Sequence, residues 1–270
     1  MNGVIFRIGE NEVRLPICKR LSKDEKDYLK FLHKSIDGNI QYTLKWLDTD
    51  ESSELLDMDE DDFDDAFVNS NLYRGLNNLF LESKTESKKY VSKFYNKGSK
   101  LGYADIGKIL PFKNSDEKAL NILNNYVGDL VYNVNVECGI GIQDVLMLGA
   151  MGTINVNEIK ENILNVPYVP VRSNISVSSR CDMVARTEYG RAINTGVLQA
   201  YSNSGVTEVN INTTGLSNVC EDCLDLERDN PYTIEEAMAL LPLHPQCACS
   251  YSPINGGNGD VENPMIIDLT

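Results

Sequence analysis

The sequence predicts a mainly α chain with a small C-terminal α+β module organised by a Cys/His knuckle of the zinc type. Three observations carry this. Apolar residues recur at helical spacing through most of the chain up to Asn203. A short stretch of period two then follows, with Val209, Ile211 and Thr213 on one side and Glu208, Asn210 and Asn212 on the other, ended by Gly215. Finally, Cys220-x2-Cys223 is separated by twenty residues from His244-x2-Cys247-x-Cys249, which sets two close groups of soft ligands on either side of one spacer.

With 270 residues, 42% of them hydrophobic and 24% charged, the chain has the make-up of a globular protein large enough for two regions. The N-terminal apolar run is broken by Arg7, and no run approaches the roughly 18 residues that a membrane span requires, so neither a signal peptide nor a span is expected. Seven cysteines is an odd number, and five of them lie between Arg180 and Tyr251 with one of the two histidines. That clustering favours metal binding in a reducing compartment over a disulfide framework or plain buried thiols. The net charge of −15 argues against a general nucleic-acid coat, since binding to phosphates rewards lysine and arginine. The charge is uneven: residues 48–65 hold eleven carboxylates and no cation, whereas 84–113 hold eight lysines against Glu86 and Asp105.

Residues 2–17 alternate weakly around Gly9-Glu10-Asn11 and read as a hairpin or extended arm. Ser22 with Glu25 forms a capping box for a helix whose apolar positions are Tyr28, Phe31, Leu32 and Ile36, with His33 beside that stripe as an ordinary surface or boundary residue. Asp57, Asp59 and Asp61 alternate as in a calcium loop. The template fails, however, because Asp62 stands where glycine is needed and Val68 where a bidentate glutamate is needed, leaving a solvated acidic loop at 48–65. Helical periodicity returns from Phe67 to Lys100, and there Lys89, Lys93, Lys97 and Lys100 fall on one face, either a solvated lysine face or a contact for an acidic partner or packaged DNA. Gly98, Gly102, Gly107 and Pro111 predict helix ends and a loop. A helix over Ser115–Gly139 follows, then two short ones over Gly141–Gly149 and Asn157–Leu164, the last capped by Asn155 and Glu158.

Ser179, with Asp182 three positions on, is the expected cap of a motif helix that runs to Asn203 and stops at Gly205. Its inward stripe, Met183, Thr187, Gly190, Asn194, Val197 and Tyr201, is interrupted by polar residues and a glycine. A buried polar group without a partner costs about 1–3 kcal/mol, so Thr187 and Asn194 are expected to bond to neighbouring backbone and Gly190 to admit another segment. Arg186 and Glu188 point about 200° apart on a helix and cannot pair. Glu188 can reach Arg191, and Arg186 is expected to be a buried clamp on carbonyls or a carboxylate of the metal module. An acid/base reading of this pair lacks a second acidic residue or a glycine-rich cofactor loop at a recognisable distance. Thr233 with Glu236 caps a short helix expected over Ile234–Leu241 and ended by Pro242, after which His244, Cys247 and Cys249 are expected in extended chain. Cys220, Cys223, His244 and Cys247 suit one tetrahedral zinc, with Cys249 as reserve or substitute.

The run Ala185-Arg186-Thr187-Glu188 with Arg191-Ala192 and Asn194, then Cys220/Cys223, then Pro242-x-His244-Pro245-x-Cys247-x-Cys249, resembles the C-terminal domain of the Mu F-like minor head proteins of tailed viruses. The resemblance spans residues 140–253, most strongly after Ser178. Two departures are Ala248, where many relatives carry arginine, and the lack of a glycine after Leu226. The resemblance implies a structural, non-enzymatic component of the virion, located in the head interior or at the portal vertex and in the host cytoplasm during assembly. Its partners would be the portal and capsid proteins and packaged double-stranded DNA, with no membrane and no small-molecule substrate. The expected division is a helical N-terminal region at 1–176, a head-morphogenesis domain with the metal module at 177–253, and a flexible tail at 254–270.

The competing readings are a zinc-dependent enzyme on nucleic acid and a zinc-stabilised DNA-binding regulator. A zinc deaminase needs His-x-Glu followed by Pro-Cys-x-x-Cys, whereas here Pro245 and Gln246 follow His244 and the cysteine pair precedes it. A regulator would place cations around the knuckle, where this chain has Glu221, Asp222, Asp225, Glu227 and Asp229.

Overall fold

The computed structural model describes residues 4–8, 11–15, 21–107, 117–171, 174–215 and 219–254. The chain is mainly helical, with a three-stranded antiparallel sheet and a Cys/His cluster near its C-terminal end. Packing groups the residues into two compact units otherwise than at 176/177: one takes the described residues up to Ser83 with Tyr132–Cys181, the other Lys84–Val131 with the described residues from Asp182 onward. The expected tail beyond Ile254 lies outside the described residues.

In the first unit, strands β1 (Val4–Ile8) and β2 (Asn11–Leu15) pair antiparallel from Val4↔Leu15 to Ile8↔Asn11, the expected hairpin. Helix α1 (Lys23–Trp46) opens with the capping box: the Ser22 backbone N–H donates to Glu25 Oε2 at 2.8 Å and the Glu25 N–H to Ser22 Oγ at 3.2 Å. Tyr28, Leu29, Leu32, Ile36 and Ile40 form its buried stripe. His33, expected at the surface or boundary, is buried with them.

The acidic stretch is not a loop. It folds as α2 (Asp50–Leu56) and α3 (Glu60–Asn69), because enough apolar residues stand at helical spacing to bury one side: Leu55 on α2, and Phe63 and Phe67 on α3 with ring centroids 6.1 Å apart. Asp50 and Glu51 lie in the first turn of α2, where the helix dipole favours carboxylates, and Glu51 also accepts from the Trp46 indole at 2.9 Å and the Asn71 N–H at 2.8 Å.

Helix α4 (Asn71–Asp105) runs through Gly98 and Gly102, and α5 (Glu117–Ala150) through Gly139 and Gly141, so the expected breaks at these glycines are absent. In α5 the buried stripe Val127, Val131, Val134, Cys138, Ile142 and Leu146 crosses the glycines without changing period, which makes one helix of what reads locally as two. Within the first unit Asn135 Oδ1 accepts from Ser35 Oγ at 2.9 Å and Asn39 Nδ2 at 2.8 Å, and Ser35 is bonded in turn to Ser83, so these four side chains of α1, α4 and α5 form one polar network. Helix α6 (Val156–Asn165) starts at the predicted Asn155/Glu158 capping box, and a single 3₁₀ turn at Val166–Tyr168 follows.

The motif helix is α7 (Val177–Asn203), which belongs to the second unit from Asp182 onward. It begins a little earlier than expected, since Ser176 Oγ accepts from the Ser179 N–H at 3.3 Å, and it ends before Gly205, whose φ is +84°. The glycines of α4 find their reason here. A Cβ at Gly98 would lie 2.1 Å from the Ile193 carbonyl oxygen, and one at Gly196 would lie 2.2 Å from that of Tyr95, so α4 and α7 touch backbone to backbone. Tyr201 donates to Asp105 Oδ2 at 2.7 Å near the end of this contact.

The module after Gly205 is built on β3 (Glu208–Asn212), the central strand of the order β4-β3-β5, followed by α8 (Glu221–Arg228), β4 (Tyr232–Thr233), α9 (Ile234–Ala237) and β5 (Ser250–Ile254). β3 pairs with β4 at Val209↔Tyr232 and with β5 from Glu208↔Ile254 to Asn212↔Ser250, all antiparallel. Val209 and Ile211 face a core that contains Val197, Leu198, Tyr201, Leu241 and Tyr251, and with them Cys223, Cys247 and Cys249.

Candidate metal centre

Three local structures bring the Cys/His ligands together. Cys220 is the N-cap residue of α8 in extended conformation, and Cys223 is its third helical residue, so the sequence Cys-Glu-Asp-Cys puts both thiols at the positive end of a helix. His244, Pro245, Gln246 and Cys247 form a tight turn rather than the expected extended chain. The Cys247 N–H donates to the His244 carbonyl at 3.1 Å and Gln246 has φ +64°. Proline at the second position of a turn whose third residue is left-handed is the type II pattern, although glycine or asparagine usually fills that third place. Cys249 then leads into β5.

Three of the distances lie near those of a soft tetrahedral site, while Cys247 falls in a group with Cys223 and Cys249 rather than with Cys220 and His244. His244 Nε2 lies 3.2 Å from Cys220 Sγ and 3.2 Å from Cys223 Sγ, and Cys223 Sγ lies 3.9 Å from Cys247 Sγ. Ligands at about 2.3 Å for sulfur and 2.0–2.1 Å for nitrogen around a tetrahedral ion stand about 3.8 Å apart for two sulfurs and about 3.6 Å for sulfur and nitrogen. The donors form two overlapping groups, Cys220/Cys223/His244 and Cys223/Cys247/Cys249, each with its ligand atoms within 4.8 Å of one another. These groups can hold a metal ion. Cys223 belongs to both, so it is the hinge of the donor set. Among the described residues no cysteine is in a disulfide.

The histidine is prepared for ligation. Its Nδ1 lies 2.9 Å from the Pro245 carbonyl, which can only accept, so Nδ1 carries the proton and Nε2 presents its lone pair to the cysteines. The same carbonyl pushes the His244 pKa up against the effect of burial. The Cys223 N–H draws the Cys220 thiol below its ordinary value, and a hydrogen bond from Cys249 takes Cys247 down to about 5. The same bond pushes Cys249 up, while burial first and the Cys220 bond next push Cys223 up to about 12. Negative charge is thus shared unequally within one coupled group of thiols.

Helix α7 holds the ligand loop from behind. The Gln246 N–H donates to Thr187 Oγ1 at 2.9 Å while that hydroxyl donates to the Met183 carbonyl at 2.6 Å. Asn194 Nδ2 donates to the Cys249 carbonyl at 3.0 Å, and a Cβ at Gly190 would stand 3.6 Å from the Cys247 carbonyl oxygen. Thr187 and Asn194 thus bond to backbone, while at Gly190 an added Cβ would make only ordinary van der Waals contact with the loop, so the expected close approach is not required there. Glu188, 1% exposed, pairs with Arg191 Nε at 3.1 Å, and the Arg191 guanidinium lies 4.7 Å from the centroid of the Tyr126 ring. Burial pushes the Glu188 carboxyl above the usual range and Arg191 draws it back. Arg186, expected as a buried clamp, is only half-buried. Lys89, Lys93 and Lys100 are exposed, with Lys89 paired to Glu86 at 2.5 Å. Lys97 is half-buried, its Nζ 5.6 Å from the Tyr189 ring centroid and 3.2 Å from the Tyr189 hydroxyl.

Two contributors escape a reading of the sequence. Tyr251 accepts from the Leu241 N–H at 3.2 Å and donates to the Ala237 carbonyl, fixing the segment before His244; its place two residues after Cys249 carries no local sign of this. Gln246 does carry a sign, since Pro245 forecasts the turn. No protein-family model, curated protein or solved structure matches this chain. No helix among the described residues is long and apolar enough to cross a membrane.

Proposed function

We propose that this chain is a structural minor head protein of a tailed virus or prophage, acting near the portal in head assembly or DNA delivery, and that one zinc ion closes its C-terminal module. One observation carries the reading: the residues on which the resemblance rests, far apart in sequence, belong to a single arrangement. Thr187 and Asn194 of the motif helix bind the loop that carries His244, Cys247 and Cys249, and this loop meets Cys220 and Cys223. Zinc is the ion that thiolates and an imidazole at these spacings suit best, since calcium and magnesium prefer oxygen ligands. Cys220, Cys223, His244 and Cys247 would hold it, and when bound it supplies a cross-link rather than a reaction, because four protein ligands leave no position for water or substrate. The chain then acts as a rigid module presented to the portal and capsid, with the exposed lysines of α4 as the candidate contact.

The experiment has two steps. The genes flanking this one are read first, and a portal and large terminase on one side with a scaffold and major capsid protein on the other are expected. Co-expression with that portal and capsid protein should then give heads that contain this chain in low copy number. Absence of such neighbours, or heads that form without taking up the chain, overturns the assignment.

A further inference from the structure

We infer that Thr187 and Asn194 are positioning residues of the metal centre: they set its affinity from helix α7, through the backbone of the ligand loop and without touching the ion. This rests on the metal reading above and adds where control of the site lies. The loop from His244 to Cys249 carries three of the five candidate donors and has little regular structure of its own before β5 begins at Ser250. Its turn contains Gln246 at φ +64°, a conformation that side-chain-bearing residues adopt rarely and keep only where the surroundings over-determine it. The surroundings here are Thr187 and Asn194.

Thr187 commits its proton to the Met183 carbonyl, so its lone pairs are left for the Gln246 N–H, and the hydroxyl has a single orientation that satisfies both. Asn194, 6% exposed, fixes the other end of the loop at the Cys249 carbonyl. The two stand seven residues apart, two turns of one helix face. The loop is therefore held at residues 246 and 249, on both sides of Cys247. Without these holds the loop can turn the thiol of Cys247 away from Cys223, whose Sγ it now faces at 3.9 Å. Outer-shell groups of this kind typically alter metal affinity by about 10- to 100-fold.

The test compares the full chain with Thr187→Val, Thr187→Ser and Asn194→Ala. Zinc affinity is measured by competition with a chromophoric chelator, ligand geometry by the visible spectrum of the cobalt(II) form, and helix content of each metal-free chain by circular dichroism. Thr187→Val and Asn194→Ala are expected to weaken zinc by about 10- to 100-fold and to alter the cobalt spectrum at unchanged metal-free helicity, while Thr187→Ser, which keeps the hydroxyl, stays near the parent. If both variants hold zinc as the parent does, with the same cobalt spectrum, the inference falls and the metal reading stands. If affinity falls only together with metal-free helicity, the role is structural and the inference is overturned. If the parent takes up neither metal, the metal reading fails and the inference with it.

Discussion

Alanine substitutions at three helical glycines have opposite expected signs, which makes them a sharp test of the α4–α7 packing. In the interior of a helix Gly→Ala ordinarily stabilises by about 1 kcal/mol. A Cβ added at Gly38 in α1 would meet nothing within 4 Å, so Gly38→Ala should realise that gain. At Gly196 the added Cβ would stand 2.2 Å from the Tyr95 carbonyl oxygen and 2.7 Å from the Ser99 nitrogen, and at Gly98 2.1 Å from the Ile193 oxygen. These are backbone atoms and cannot rotate aside, so the helices must separate. Overpacking costs about 1–3 kcal/mol, and with rigid neighbours at the upper end, less the propensity gain, a net loss of about 2 kcal/mol follows. At about 2–4 °C per kcal/mol, Gly196→Ala and Gly98→Ala should lower Tm by about 4–8 °C and Gly38→Ala should raise it by about 2–4 °C. Thermal unfolding followed by circular dichroism decides it. A Gly196→Ala chain as stable as Gly38→Ala would mean that the two helices do not meet as described.

Three further outcomes follow from the site and its helix. Cys223→Ser should open the chain after Gly205 to protease while the N-terminal helices survive, because zinc in small modules contributes about 10–16 kcal/mol to folding; limited proteolysis that finds 206–254 as resistant as in the parent would contradict this. Glu188 binds its proton more tightly folded than unfolded, owing to burial, so its contribution is complete below the ordinary carboxylate pKa of about 4.3 and is lost as pH rises through the folded value. The stability of the parent relative to Glu188→Gln should therefore fall from acid towards neutral pH, and urea midpoints that show a flat or rising difference would refute the assignment. Changing the exposed Lys89, Lys93 and Lys100 together to glutamine should leave folding within about 0.5 kcal/mol per site yet reduce incorporation into heads, whereas normal incorporation would leave them a solvated face.

Much of the site can be read from the chain because its signals are local. The Ser22/Glu25, Asn155/Glu158 and Thr233/Glu236 boxes each start a helix where expected. The polar interruptions at Thr187 and Asn194 forecast backbone partners because a buried donor or acceptor must have one. The differences have a common origin in contacts distant in sequence. Gly98 looks like a helix end until Ile193, ninety-five residues later, supplies the backbone it makes room for. The acidic stretch looks like a loop if its charge is weighed without Phe63 and Phe67, whose burial outweighs it. The His244 turn is easily missed because Cys247-x-Cys249 also fits a strand, and Pro245 is its one local sign; the Cys247–His244 backbone bond and the positive φ at Gln246 settle it.

If the converging cysteines and histidine hold the C-terminal module together through a metal ion, that ion must travel with the folded chain. Elemental analysis of the full chain, purified without chelator beside its Cys223→Ser variant, tests it most directly. One zinc per parent chain and none retained by the variant is expected. Less than about a third of an equivalent in the parent, in a chain that is nonetheless folded and protease-resistant over 206–254, would leave the five residues as buried thiols and a histidine and contradict it.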